Sequence, residues 1–315
     1  FSVVLLMGKE QVWHLYLFAA LFGVLWAFNN PIRQVLVSNC VPASHLMNAV
    51  ALNSMSFNTM RAIGPALGGF FILFFGPGIN FLLQAFLFFI VLLILIPFRT
   101  PYALSDRSKT RSQPMLQNLK EGLGYLAAHP VARTASLVTF ALMMLSSSAL
   151  FNQLPVYTAE RLLNEDGSYL GLLFTAMGVG GLLSTIYLAR FSSISRKGRQ
   201  GLVASAGAIL SLALLSQVTA LWLAMIVVAV QQAFLQVVLT TNLTTVQSLT
   251  PDELRGRVTG VYQMEVGMML PGGVAAGALA SLWGVDVAFL SAACAAAVVL
   301  AIIAYLSPSY RKLQL

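Results

Sequence analysis

Charged side chains are scarce in this chain. They make up 9% of its 315 residues, whereas soluble domains carry about 25%. Hydrophobic residues make up 58%, and a soluble fold has no use for so much apolar surface, so we predict that lipid surrounds most of the chain. The net charge of +8 does not indicate a nucleic-acid partner, because the basic residues stand in short groups between apolar runs, as in the loops of membrane proteins.

Reactive and metal-binding residues are few too. Cys40 and Cys294 lie outside any CxxC or metal-ligand spacing, so we interpret them as small apolar fillers. The three histidines are isolated, which predicts no metal site. The sequence has no Walker A motif, no arginine ladder or filter-like glycine repeat, and no Ser–His–Asp constellation. These absences argue against a built-in ATPase, a channel and an enzyme, and we expect no cofactor.

Long apolar runs dominate what is present. A spanning helix needs about 20 mostly apolar residues, and nine runs qualify: 13–36, 46–75, 79–98, 134–158, 169–189, 201–217, 221–247, 256–282 and 287–306. Residues 1–8, FSVVLLMG, look like the end of a further helix. They have no n-region and no cleavage site, so we expect a fragment without its N-terminus rather than a signal peptide.

The longest connection between runs is 99–133. Within it, the segment 114–130 has leucines at three- and four-residue steps, which would form one apolar stripe on a helix. Lys120 and Glu121 lie off this stripe. The stripe comprises Leu116, Leu119, Leu123 and Leu126. It predicts a short amphipathic helix on the cytoplasmic face, which serves as a hinge or, alternatively, binds a partner. We therefore predict three regions: the remainder of an N-terminal helical half at 1–98, this linker, and a C-terminal six-helix half at 134–315.

The loops at the two ends of the runs differ in charge. Fifteen Lys and Arg residues lie in the set of loops that includes 99–133 and the C-terminus. Only Lys9 and Arg161 lie in the opposite set. The positive-inside rule therefore predicts that the first set and the C-terminus are cytoplasmic.

The two parts of the chain share an internal repeat. A shift of 208 residues, without a gap, aligns Leu46 with Leu254, Val50 with Val258, Gly64 with Gly272 and Gly69 with Gly277. Both copies run in the same direction, which predicts parallel repeats related by an axis along the membrane normal. Three runs precede the linker and six follow it, so a complete first half would give six plus six.

Several motifs resemble those of the major facilitator superfamily. GPALGG (64–69) is similar to the core of the antiporter motif of its drug/proton antiporters, although Met60 stands where the full motif has a glycine. Three further segments resemble the enterobactin-exporter branch of this superfamily. They are NPIRQVLVSNCVPASHLMNAVALNS (30–54), LKEGLGYLAAHP (119–130) and TPDELRGRVTGVY (250–262). The last motif supplies a cytoplasmic loop motif of Asp252, Arg255, Gly256 and Arg257.

The resemblance implies an all-α polytopic membrane protein with the major facilitator fold. That fold has two parallel six-helix halves. This chain would supply the family's helices 4–12 and the end of helix 3.

Two runs carry a face of glycine and proline. The residues are Gly64, Pro65, Gly68 and Gly69 in one run and Pro271, Gly272, Gly273 and Gly277 in the other. Small residues let helices approach closely in lipid, and an internal proline bends a helix. In the family these two helices lie on the seam along which the halves rock. We therefore predict a packing and gating motif, with plain close packing as the alternative.

Two charged residues lie inside the runs. Arg61 is near mid-span, where a charge costs about 2.5–3.5 kcal/mol on insertion scales, and Glu265 is the only intramembrane acid. The repeat aligns Glu265 with Phe57, one turn from Arg61, so we expect both at similar depth. We interpret them as candidates for substrate or proton coupling, with a static structural link as the alternative.

In the family, helices 1, 4, 7 and 10 line a central cavity, and the three of these present here carry amides. The candidate substrate-path residues are Asn29, Asn30, Asn152, Gln153, Tyr157, Gln232, Gln236 and Asn242. Polar groups are expensive where they face lipid, which favours contact with a water-filled path. Hydrogen bonding within each half is the alternative.

The resemblance further implies a secondary active exporter in the bacterial cytoplasmic (inner) membrane. It would expel a siderophore, drug or other amphipathic small molecule by alternating access, driven by a proton gradient. We expect a monomer whose partners are the bilayer, the solute and protons. The alternatives are a permease for lysophospholipids or another solute, and a non-transporting sensor or scaffold of the same fold.

Overall fold

The computed structural model describes residues 1–9, 11–42, 46–97, 115–164, 168–190, 197–267, 269–311 and 313. Across these ranges every regular element is a helix and none is a strand, which confirms the all-α class. The chain divides into two compact units, Phe1–Ser112 and Gln113–Leu315. Each unit is described by itself below.

The first unit contains α1 (Ser2–Leu6), α2 (Val12–Asn39) and α3 (Leu46–Leu95). Gly76 interrupts α3 with φ 75° and ψ 167°, a conformation that glycine adopts at little cost. The element is therefore two helices, and its break falls between the predicted runs 46–75 and 79–98. Beside the break, Ser2 Oγ donates a 2.7 Å hydrogen bond to the carbonyl of Gly78.

The second unit holds the other described helices. They are α4 (Met115–Ala128), α5 (Pro130–Ala141), α6 (Ser148–Glu160), α7 (Ser168–Arg190), α8 (Lys197–Leu215), α9 (Leu221–Leu249), α10 (Asp252–Gly267), α11 (Met269–Trp283), α12 (Val285–Leu306) and α13 (Pro308–Arg311). A π-helical turn, Leu142–Ser147, joins α5 to α6. One helix thus runs from Pro130 to Glu160, and it begins with proline, whose missing N–H is not needed in a first turn.

Six of the described helices are long and apolar enough to cross a membrane. They are Phe74–Leu95, Pro130–Glu160, Tyr169–Leu188, Lys197–Leu215, Leu221–Leu249 and Val285–Leu306. Of the three other predicted runs, the first contains a shorter apolar helix, Val12–Leu25. The second, 46–75, corresponds to the part of α3 before Gly76. The third, 256–282, contains the later part of α10 and the whole of α11 (Met269–Trp283), on either side of residue 268.

Small residues set the spacing of the helices in the second unit. A Cβ added to Gly180 of α7 would lie 2.0 Å from the main-chain oxygen of Ala229 in α9. A Cβ added to Gly207 of α8 would lie 2.6 Å from the ring of Phe234 in α9. In lipid the hydrophobic effect does not drive helices together, because lipid tails are as apolar as the side chains. Close packing of backbones drives the association instead.

A helix occupies Met115–Ala128, in the segment for which the sequence predicts an amphipathic helix. It packs on α10: a Cβ added to Gly122 would lie 2.8 Å from the main-chain oxygen of Arg257. Leu119 and Leu126 join the same hydrophobic cluster as the buried residues of α10. Leu123, also on this stripe, is 50% exposed. Gly122 takes the packed position because the two backbones touch there. The Leu116 side chain lies outside the described part.

Candidate substrate and coupling site

Three consecutive serines lie in the middle of the helix Pro130–Glu160. Ser146 and Ser147 end the π-helical turn and Ser148 begins α6, and all three side chains are buried. A π-helical turn is frequent at functional positions. Gln231 of α9 donates a 3.3 Å hydrogen bond from Nε2 to Ser146 Oγ, so the turn is tied to α9.

The glycine face of α11 packs on this turn and on α6. A Cβ added to Gly272 would lie 1.9 Å from the main-chain oxygen of Met144 and 2.5 Å from Ser148 Oγ. A Cβ added to Gly273 would lie 2.3 Å from the amide nitrogen of Asn152. These two glycines therefore lie at a close helix contact within the second unit. Pro271, in the same motif, is exposed.

Two predicted substrate-path amides form the other side of that contact. Asn152 donates a 2.9 Å hydrogen bond to the carbonyl of Ser148 in its own helix and remains exposed. Gln153 is buried, and its Nε2 lies 3.5 Å from the carbonyl of Gly273 and 3.3 Å from the place of a Cβ on Gly277. The structure thus brings together amides and glycines that the sequence singles out for different reasons.

The glutamines of α9 are buried, with polar atoms only partly satisfied. Gln232 and Gln236 are 8% and 7% exposed. Gln236 donates to Thr240 Oγ1 at 3.4 Å in its own helix. The Oε1 atoms of Gln231 and Gln232 accept no hydrogen bond from the described residues. Buried amide oxygens without donors are costly, so these two atoms are available to a water or a solute that carries donors.

Two other substrate-path candidates have their polar atoms committed to the protein. Tyr157 is fully buried and donates its hydroxyl to the carbonyl of Val218 at 2.9 Å. Asn242 donates to the carbonyl of Ala135 at 3.1 Å and to Thr139 Oγ1 at 3.0 Å, and its Oδ1 accepts from the hydroxyl of Tyr310 at 2.5 Å. Tyr157 thus ties α6 to the connection between α8 and α9, and Asn242 ties α9 to α5 and α13.

Glu265 lies inside the second unit, with its side chain 9% exposed. One carboxyl oxygen accepts a hydrogen bond from Ser136 Oγ of α5. The other is buried and has no partner among the described residues. Nor does a described cation lie within ion-pair distance of it. A carboxyl group with one oxygen bonded and one vacant can bind a proton or a donor from a solute.

A polar network beside Glu265 was missed from the sequence. Thr139 Oγ1 lies 3.0 Å from the hydroxyl of Tyr262, which in turn donates to the carbonyl of Leu239 at 3.0 Å. Thr139 also links to Asn242, and through it to Tyr310 in α13. Burial raises the pKa of the Tyr310 phenol, so this hydroxyl stays a donor. The available signal was the spacing of Thr134, Ser136 and Thr139, which places polar groups along one helix.

The predicted cytoplasmic loop motif lies at the start of α10. Arg257 forms an ion pair with Glu121 of α4, and both side chains are about one-third exposed, at 30% and 31%. Arg255 is partly buried and Gly256 is exposed. The Asp252 side chain lies outside the described part of the chain. The motif therefore includes the residue that ties the linker helix to α10.

The candidates of the first unit are less connected. Asn29 is exposed on α2 and Gly69 is buried in α3, while the side chains of Asn30, Arg61 and Pro65 lie outside the described residues. A Cβ added to Gly64 or Gly68 would meet no described atom within 4 Å. The close approach expected at these two glycines is therefore not made within the described part of this unit.

Comparison with known proteins identifies the class. Residues 1–312 match the model of a family described as transmembrane secretion effector, of the major facilitator type. The chain belongs to this family, whose members are transporters rather than enzymes. A multi-pass membrane protein follows from that membership.

Two relatives show where the chain stands. It is 25% identical to the staphyloferrin A transporter of Staphylococcus aureus over 270 residues, which cover 85% of this chain and 66% of that protein. It is 26% identical over 305 residues to YfiS of Bacillus subtilis, an uncharacterized transporter of the major facilitator type, covering 93% of this chain and 71% of that protein. The chain thus spans about two thirds of the length of these relatives.

Proposed function

We propose that the protein is a secondary active exporter that moves a siderophore or another amphipathic small molecule across the bacterial cytoplasmic membrane, driven by inward proton flow. Family membership supports transport in general. One relative is named as the transporter of staphyloferrin A, which is a siderophore. This relative favours siderophores over other solutes. The charge bias between the loops supports a cytoplasmic C-terminus.

Glu265 carries the proton part of the proposal. It is a buried carboxyl group in a membrane protein, with one oxygen held by Ser136 and the other free of described partners. Ionisable groups inside a membrane protein are costly and mark proton or substrate pathways. A group whose second oxygen were also bonded within the protein would fit a static link better than a site that exchanges protons.

The amides near the π-helical turn carry the solute part. Neutral amide oxygens of Gln231 and Gln232 lack donors, and partly buried Met225 lies on the same helix. Neutral hydrogen-bonding groups among apolar side chains suit a bulky, partly apolar solute. Export would follow when the halves at 1–98 and 134–315, joined by the linker 99–133, alternate between inward-open and outward-open states. A monomer suffices for this cycle.

The test uses the full-length protein that contains this chain, in everted membrane vesicles with an acidic interior. A pH-sensitive dye reports the gradient while siderophores and amphipathic drugs are added one at a time. We expect at least one compound to dissipate the gradient with the wild type and to lose this effect with Glu265→Gln. Glu253→Gln, an exposed carboxyl on the same helix, is the matched control and should behave as wild type.

Other outcomes separate the alternatives. Solute accumulation without any change in the pH gradient would indicate a permease that is not proton-coupled. A folded, inserted protein that moves no compound of the panel and no lysophospholipid would contradict transport and favour the sensor or scaffold. Equal loss of function in Glu265→Gln and Glu253→Gln would show that the assay detects general damage rather than coupling.

A further inference from the structure

A pocket of about 540 Å³ opens between α7, α8 and α9, away from the serines and Glu265. Its wall is mainly apolar and includes Leu183, Val203, Phe234 and Val237. Leu183 and Val203 are 57% and 59% exposed, so the pocket is open along its side. All three helices are among those long and apolar enough to span a membrane. An open apolar groove between helices that can span a membrane suits a hydrocarbon chain.

One end of the pocket is positively charged. Arg199 lines it near the start of α8, is exposed, and has no described acid within ion-pair distance. Lys197 begins α8 and Arg190 ends α7, so both flank the connection between these helices. Arg199 therefore places a positive charge at one end of an apolar groove.

Gln200, next to Arg199 in α8, has a buried donor. Gln200 lines the pocket, and its side-chain nitrogen is inaccessible to solvent and donates to no acceptor among the described residues. A buried N–H group without an acceptor is unfavourable. The pocket thus lacks an oxygen acceptor beside Arg199, and phosphate and ester oxygens are acceptors of this kind.

We infer that the pocket binds an anionic phospholipid of the leaflet that borders the connection between α7 and α8. Its phosphate contacts Arg199, its ester oxygens accept from Gln200, and one acyl chain follows Val203 toward Phe234. Four residues of helix advance the chain by about 6 Å, so Val203 lies one step deeper than Arg199. By the positive-inside rule this is the cytoplasmic leaflet, which carries anionic lipids. The inference does not depend on what the protein transports.

Native mass spectrometry of the delipidated full-length protein in detergent tests the site. Phosphatidylglycerol and phosphatidylcholine with identical acyl chains are added separately, and bound lipid is counted. We expect phosphatidylglycerol to bind about tenfold more tightly, as one charge-assisted contact allows. Arg199→Gln should remove this preference, and Arg199→Lys should keep part of it. Arg311→Gln, an exposed charge on α13, is the control and should leave binding unchanged.

A second pair of variants tests the groove. Val203→Trp should fill it and weaken binding of both lipids, while Leu210→Trp, an exposed position on α8 outside the pocket, should not. Equal binding of the two lipids, unchanged binding in Arg199→Gln, or displacement of lipid by millimolar inorganic phosphate would each overturn the inference. Unchanged thermal unfolding of every variant shows that lost binding is not lost folding.

Discussion

The main chains of α11 and the π-helical turn meet at Gly272 and Met144, where a Cβ on the glycine would lie 1.9 Å from the carbonyl oxygen. A carbon and an oxygen cannot approach so closely, and the obstacle is backbone rather than a flexible side chain. Any residue larger than glycine must therefore move α11 away from the buried serines. The spacing of these helices therefore requires that the side chain at position 272 is no larger than the hydrogen atom of glycine.

Gly272→Ala should destabilise the protein by about 1–3 kcal/mol, the usual cost of overpacking. The measurement is thermal unfolding in detergent. Gly260→Ala is the control, because Gly260 lies in α10, is exposed, and has open space where a Cβ would be. It should be neutral or stabilising by up to about 1 kcal/mol, since alanine is the better helix former. Equal stability of the two variants would contradict the contact.

Tyr310 offers a second stability test, at the end of the chain. Tyr310→Phe leaves the buried Oδ1 of Asn242 without its donor, which should cost about 1–3 kcal/mol. Tyr305→Phe, at an 80% exposed position, should change stability little. A comparable loss in both would mean that the hydrogen bond to Asn242 carries no special weight.

The same tyrosine predicts a pH dependence. Burial raises the pKa of Tyr310 above its ordinary value of 10.0, so the neutral phenol is favoured more in the folded than in the unfolded state. Its contribution is therefore complete below pH 10 and declines as the pH rises from the ordinary pKa toward the folded one. Unfolding measured between pH 8 and about pH 11 should show an alkaline loss in wild type that is smaller in Tyr310→Phe.

Two interactions hold the linker helix α4 on α10, and mutations can compare their strengths. The Glu121–Arg257 pair is about one-third exposed, so a double-mutant cycle with Glu121→Gln and Arg257→Gln should give a coupling of about 1 kcal/mol or less, reduced by salt. Gly122→Val places atoms against the main chain of Arg257 and should cost more, about 1–3 kcal/mol. Protection of Met115–Ala128 from proteolysis reports the docking. A coupling energy larger than the loss of stability caused by Gly122→Val would contradict this ranking.

Much of the fold is written in local sequence features. Apolar runs separated by basic loops predict a helical membrane protein, and the motifs around Gly64 and Arg257 point to the family. The glycine face of α11 predicts close packing, because only small residues allow it. These inferences use composition and spacing within one element, which do not depend on how distant elements meet.

The details of the site depend on contacts between distant residues, and no periodicity encodes them. Ser136 and Glu265 are 129 positions apart, and Asn242 and Tyr310 are 68 apart. The π-helical turn also has no distinguishing residue pattern, and its contact with Gly272 of α11 joins residues far apart in the sequence. Likewise, the leucine stripe of α4 does not reveal that Gly122, beside the exposed Leu123, packs against the main chain of Arg257.

Gln232 separates solute binding from structure within α9. Its buried Oε1 has no donor among the described residues, so Gln232→Leu removes an unsatisfied group and should leave stability unchanged or slightly higher. Gln231→Leu, the neighbouring control, removes the hydrogen bond to Ser146 and should cost about 0.5–1.5 kcal/mol. If the free oxygen of Gln232 accepts a hydrogen bond from the solute, Gln232→Leu should raise the KM for export about tenfold, because one such bond is worth about 1.4 kcal/mol or less. Vesicle transport and thermal unfolding of the same preparations provide both readouts. A stability loss in Gln232→Leu without a change in KM would assign this amide to helix packing instead.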